Sequence, residues 1–126
     1  MLIPMEVLLV EDNSEVSLIT VEYLTELGHS TVAVPAAESA LQRLAERSFD
    51  AVLTDVSLPG MSGIDLAKQL SQQYPKLPVV IASGYGAPKL EFGLGQHRRN
   101  VFFLPKPYDL PTLEKTLSDA AAASDS

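Results

Sequence analysis

Five short apolar segments alternating with helical ones predict an α/β domain, a five-stranded parallel sheet with helices on both faces. Three observations carry this. The strand candidates are continuous apolar runs rather than alternating ones, as in strands buried on both sides. The segments between them space their apolar residues helically, which suits right-handed crossovers between parallel strands. The 126 residues, 46 % hydrophobic and 20 % charged, have the size and balance of one globular domain.

Glu6–Val10 (EVLLV) reads as the first strand. A helical pattern over Ser14–Leu27 follows and stops at Gly28, a residue suited to a helix C-terminus. Val16, Ile19, Tyr23 and Leu27 form its expected sheet-facing stripe; Ser14, Leu18, Val21 and Thr25 lie opposite, with Glu15, Glu22 and Glu26 on a flank. His29, just beyond, reads as a solvated loop residue. Ser30–Val34 is β-branched and strand-like, and Ala36–Arg47, rich in Ala, Leu, Glu and Arg, is helical. Ala51–Thr54 is the third strand, and Gly63–Gln73 a helix closed by Tyr-Pro. Pro78–Ser83 and Val101–Leu104 are strands four and five, and Asp109 is a good N-cap for a last helix reaching about Ala122.

Between strands four and five, GYGAPKLEFGLGQHRRN has Pro88 near its start and Gly93 and Gly95 inside. Each interior glycine costs a helix roughly 0.5–1 kcal/mol against alanine, so the fourth helix is expected to be short or irregular. His97, Arg98 and Arg99 there read as a solvated basic spot. Residues 1–126 are expected to form a single domain, with a core over about 6–122 and a fraying tail at 123–126.

The net charge of −7 disfavours nonspecific binding to nucleic acid or an anionic membrane. With no cysteine, disulfides and thiolate metal sites are excluded. The opening MLIPMEVLLVED has no basic leader, and no apolar run approaches the ~20 residues of a membrane helix, so a cytoplasmic protein without membrane contact is expected.

In parallel α/β sheets, ligands bind outside the carboxyl ends of the strands. Four of the five ends here carry polar groups: Glu11 and Asp12 after the first, Asp55 after the third, Ser83-Gly84 at the fourth and Lys106-Pro107 at the fifth. A carboxylate at the lip of an apolar strand needs a reason, because burying it unpaired costs several kcal/mol. Three acids in one cleft repel unless cations compensate; Lys106 is one candidate and a hard divalent cation the other. Oxygen donors without His or Cys suit Mg²⁺ over Zn²⁺.

Over about Glu6 to Ala122 the sequence resembles the receiver domain of two-component response regulators, including receivers attached to hybrid sensor kinases. The family pattern is an acidic pair (Glu11, Asp12), a phosphoacceptor aspartate (Asp55), then a Pro and a Gly four and eight residues on (Pro59, Gly63). A Ser or Thr (Ser83) and Lys-Pro (Lys106, Pro107) complete it, with an aromatic at Phe103.

The resemblance implies a flavodoxin-like strand order 2-1-3-4-5. It also implies phosphoryl transfer from a phosphohistidine to Asp55. Mg²⁺ (or Mn²⁺) would be held by Asp12, Asp55, the Ser57 carbonyl and, through water, Glu11. Lys106 and Ser83 would hold phosphoryl oxygens, and the Lys106–Pro107 bond is expected to be cis. Ser83 and Phe103 form the family's output switch, although Phe103 serves equally as plain core, and Tyr85 sits where the family tunes water access. The implied partner is a sensor histidine kinase or a histidine phosphotransfer domain, and the uncharged outer face of the first helix makes Leu18 and Val21 the expected docking surface for it. The chain is thus read as a signalling phosphoacceptor without an effector domain, not an enzyme. A phosphorylation-independent pseudo-receiver is the alternative. A phosphatase of the haloacid-dehalogenase type is a weaker one, since Ser57 stands where that family needs a second Asp.

Overall fold

The structure, a computed structural model, describes residues 3–84, 93–95 and 100–124. The strands are β1 (Glu6–Val10), β2 (Ser30–Val34), β3 (Ala51–Asp55), β4 (Val79–Ser83) and β5 (Val101–Pro105). The helices are α1 (Ser14–Glu26), α2 (Ala37–Glu46), α3 (Gly63–Gln73) and, at the C-terminal end, α4 (Leu110–Ser124). All strand pairs are parallel, in the order β2-β1-β3-β4-β5. The predicted fold class and strand order are therefore those observed. The irregular helix predicted between β4 and β5 lies outside the described residues except at 93–95, as do Tyr85, His97, Arg98 and Arg99. Leu94 is buried in the core, and Gly95 has φ +60°.

The central strands β1, β3 and β4 do bury both faces, whereas the edge strands β2 and β5 are only partly covered. Leu8, Val10, Val52 and Ile81 pack against Ala40 and Leu44 of α2 and Leu66 and Leu70 of α3. Val7, Leu9, Leu53 and Val80 point the other way, onto Leu24 of α1 and Leu113 and Leu117 of α4. Successive strand residues alternate between two sealed layers, so a run such as VLLV needs no polar position.

Local signals set the helix ends. Asn13 caps α1, its side chain accepting from the backbone N–H groups of Glu15 and Val16, both at 3.0 Å. Gly28, with φ +92°, ends it in the left-handed conformation that favours glycine, and His29 N donates to Leu24 O at 2.9 Å. Asp109 caps α4 through Thr112 N at 2.9 Å.

Two expectations are corrected. The sheet-facing stripe of α1 is only partly the predicted one: Tyr23 and Leu27 pack partly against the core, but Ile19 is 50 % exposed, and the fully buried residues are Thr20 and Leu24. Val21, placed on the outer face by the sequence, packs partly against the α1/α4 core instead. Apolar residues are spread nearly all round this helix, so spacing alone defines no face. His29 is not solvated either. It is 4 % exposed, its Nδ1 accepts from Met5 N at 3.0 Å, and its buried Nε2 has no protein partner. Burial lowers its pKa from the ordinary 6.5.

The start of α3 sits directly on the end of β3. Gly63 N donates to Val56 O at 2.9 Å, and a Cβ on Gly63 would lie 2.2 Å from Asp55 O. Only glycine permits this approach. Gly63→Ala is expected to destabilise the fold by about 1–3 kcal/mol through forced displacement of this backbone, measured by urea unfolding. His29 gives a pH dependence. A histidine pKa lower in the folded than in the unfolded chain leaves stability intact above 6.5 and diminishes it as pH falls from there toward the folded value. Urea midpoints are expected to fall more steeply below pH 6.5 in the wild type than in His29→Asn, which keeps an acceptor for Met5 N but takes no proton.

Candidate functional site

β1 and β3 are neighbours in register, Val10 opposite Thr54, so their carboxyl ends deliver Glu11 and Asp55 to the same edge. One carboxylate oxygen from each of Glu11, Asp12 and Asp55 lies within 4.8 Å of the others. Glu11 is 7 % exposed, Asp55 is half-buried and Asp12 is exposed. Glu11 Oε2 accepts from Asn13 N at 3.1 Å, so the residue that caps α1 also fixes the innermost acid.

Lys106 reaches into this cluster from β5. Its Nζ lies 3.1 Å from Asp55 Oδ1 and 3.3 Å from Glu11 Oε1. Its backbone N donates to Ser83 O at 2.8 Å, which ties the lysine to the end of β4. Burial raises the pKa of Glu11, the Asn13 N–H opposes that, Asp55 repulsion adds to it, and Lys106 draws it back. Burial alone would lower Lys106, but its hydrogen bonds and charge interactions with Asp55 and Glu11 outweigh that and hold its pKa above 10.5.

One ammonium against three carboxylates leaves the site net negative. The donors are all oxygen, and a hard divalent cation fits both the charge and the donor type. Glu11, Asp12, Asp55 and Lys106 thus come together at one edge of the sheet.

Ser83 is 2 % exposed at the end of β4, opposite Pro105 of β5. Phe103 stands two register positions back, opposite Ile81, half-buried against the core shared with α2 and α3. Ser57 is exposed, two residues past Asp55, and Pro59 lies in the loop to α3 that Gly63 ends. The Lys106–Pro107 peptide is cis, as expected. Of the docking pair, Leu18 is 65 % exposed, while Val21 is partly covered; Ile19 takes the open place.

Two residues that sequence reasoning passed over border the site. Thr20, 1 % exposed, shares a 2.6 Å hydrogen bond with the hydroxyl of Tyr108. Both line a cleft of about 290 Å³ with Val16, Ile19, Lys106 and Pro107. A hydroxyl on the buried face of α1 was the signal available. A larger cleft, about 440 Å³, lies at the amino end of the sheet between Leu44, Phe49 and Tyr74. Its one carboxylate, Asp50, already accepts from Glu6 N at 2.8 Å, so it offers no comparable chemistry.

The profile of the response regulator receiver domain matches residues 7–118. The sensor protein TorS of Escherichia coli is 38 % identical over 117 residues, covering 90 % of this chain and 12 % of TorS. The two-component response regulator PhoP of Pseudomonas aeruginosa is 37 % identical over 116 residues, covering 90 % of this chain and 50 % of PhoP. The chain therefore spans half or less of these curated relatives. Among solved structures, the signal receiver domain of an HD domain-containing protein from Pseudomonas fluorescens superposes with a TM-score of 0.86 at 27 % identity, covering 99 % of this chain and 93 % of that one. With the profile covering most of its length and an acidic cluster crossed by a lysine at the carboxyl edge of a 2-1-3-4-5 sheet, this chain belongs to the response regulator receiver domain family.

Proposed function

We propose that Asp55 accepts a phosphoryl group from a phosphohistidine of a sensor histidine kinase or histidine phosphotransfer domain. The observation that carries this reading is the lysine ammonium 3.1 Å from Asp55 Oδ1 beside two further carboxylates. A carboxylate oxygen of Asp55 attacks phosphorus in line, the P–N bond breaks, and the imidazole leaves with its electron pair. The new bond is an acyl phosphate. Such a reaction asks the protein mainly for position and charge.

Lys106 exchanges part of its contact with Asp55 and Glu11 for a phosphoryl oxygen. The Ser83 hydroxyl donates to another, and Gly63 keeps the Asp55 backbone fixed during attack. Mg²⁺ or Mn²⁺ would be held by Asp12, Asp55 and the Ser57 carbonyl, with Glu11 acting through water. When bound it would neutralise charge on the transferring group. Pro59 shapes the loop and Pro107 the lysine turn. The output is a change at Ser83 and Phe103 or in partner binding, so the chain acts as a cytoplasmic signalling phosphoacceptor and not as an enzyme. A helical phosphodonor is proposed to dock on α1 around Leu18, with Val21 supporting that surface from beneath.

Incubation with acetyl phosphate and Mg²⁺ is expected to add about 80 Da to the intact protein. The adduct should be absent from Asp55→Asn and strongly reduced when the metal is chelated. Turnover of phosphate esters would favour the phosphatase reading, and no reaction the pseudo-receiver. Leu18→Glu is expected to slow transfer from the protein phosphodonor about tenfold relative to labelling by acetyl phosphate, the effect of roughly 1.4 kcal/mol at an interface. Equal slowing of both would remove Leu18 from the docking surface.

A further inference from the structure

We infer that the Thr20–Tyr108 hydroxyl pair is a positioning clasp that holds the Lys106 loop, and with it the lysine ammonium, over Asp55. The inference rests on the phosphoacceptor reading above and adds residues to it.

Thr20 stands on the buried face of α1 at 1 % exposure, beside Leu24. An apolar residue would satisfy packing there, whereas a buried hydroxyl needs a partner. It has one 88 residues away, the Tyr108 hydroxyl at 2.6 Å. Burial raises the pKa of the Tyr108 phenol, with the Thr20 bond opposing, so the phenol keeps its proton through neutral pH.

The position of Tyr108 gives the bond its consequence. It lies in the short connection between β5, which ends at Pro105, and α4, which begins at Leu110. Lys106 is tied on one side, its N–H donating to Ser83 O at 2.8 Å. Tyr108 ties the other side to α1, and only Pro107 separates the two anchored residues. The lysine thus leaves a loop fixed at both ends, with Nζ between Asp55 and Glu11. Removing either hydroxyl frees one end.

The pair contributes little net stability, since a buried hydrogen bond largely replaces bonds to water. What it fixes is geometry, and an ångström of misplacement at a reacting centre is costly in rate. The same clasp forms part of the wall of the cleft between α1 and the lysine loop. Thr20 and Tyr108 are positioning residues; neither touches the phosphoacceptor in the arrangement described.

The test compares Thr20→Val, Tyr108→Phe, the double variant and Thr20→Ser by labelling with acetyl phosphate and Mg²⁺. Each of the first two is expected to lower the rate at saturating donor about 3- to 10-fold. The double variant should be no slower than either, Thr20→Ser should sit near the wild type, and the half-saturating donor concentration should stay unmoved. Amide exchange at Lys106, followed by NMR, reads the loop without any phosphotransfer. It should quicken in the Val and Phe variants and recover in Thr20→Ser. A wild type that never gains phosphate defeats the functional reading, and the exchange data then decide the clasp alone. Unchanged exchange at Lys106 in Thr20→Val and Tyr108→Phe overturns the inference. So do unchanged rates against a wild type that labels, or a Thr20→Ser variant no better than Thr20→Val.

Discussion

The structure is organised around one ammonium group. Lys106 Nζ sits between a carboxylate from the end of β1 and one from the end of β3. Without it, Glu11 would be a nearly buried acid beside two others, an arrangement that costs several kcal/mol uncompensated. Glu11 and Asp55 can meet only because β1 and β3 are adjacent and parallel in the register observed. Lys106 can join them only because β5 runs the same way and hands it to the same edge. Sheet order and site chemistry are one constraint.

The two sides of the site are held differently. On the β3 side, backbone packs on backbone: Gly63 rests on Asp55 O, and Val56 N is held by Ala82 O at 3.1 Å. Nothing there can shift without disturbing α3 and β4. On the lysine side, the contacts are a long flexible stem, one backbone hydrogen bond and a pair of hydroxyls. For the proposed in-line transfer this pairs a fixed nucleophile with a cation whose loop is anchored on both sides and whose stem alone can adjust.

Much of this was legible in the sequence because its signals are local. Apolar runs marked the strands to within a residue or two, Gly28 marked the end of α1, and Asp109 marked the start of α4. Polar residues at strand ends pointed to the site because parallel strands all end on one edge. Partners distant in the chain were hidden. Thr20 is buried with Tyr108, 88 residues away, as its hydrogen-bond partner, and on the same helix Ile19 is exposed and Val21 partly covered, against the stripe read from spacing. His29 is buried with its Nδ1 accepting from Met5 N, 24 residues away, a partner no neighbouring residue reveals.

Glu11, Asp12 and Asp55 present one set of oxygen donors suited to a hard divalent cation, balanced by Lys106. Titration of the isotope-labelled protein with Mn²⁺, followed by paramagnetic broadening of backbone resonances, tests this most directly. Saturable broadening centred on residues 11, 12 and 55–57, reversed by Mg²⁺ and weakened in Asp12→Asn, is expected. Broadening centred elsewhere, or none that saturates, would contradict it.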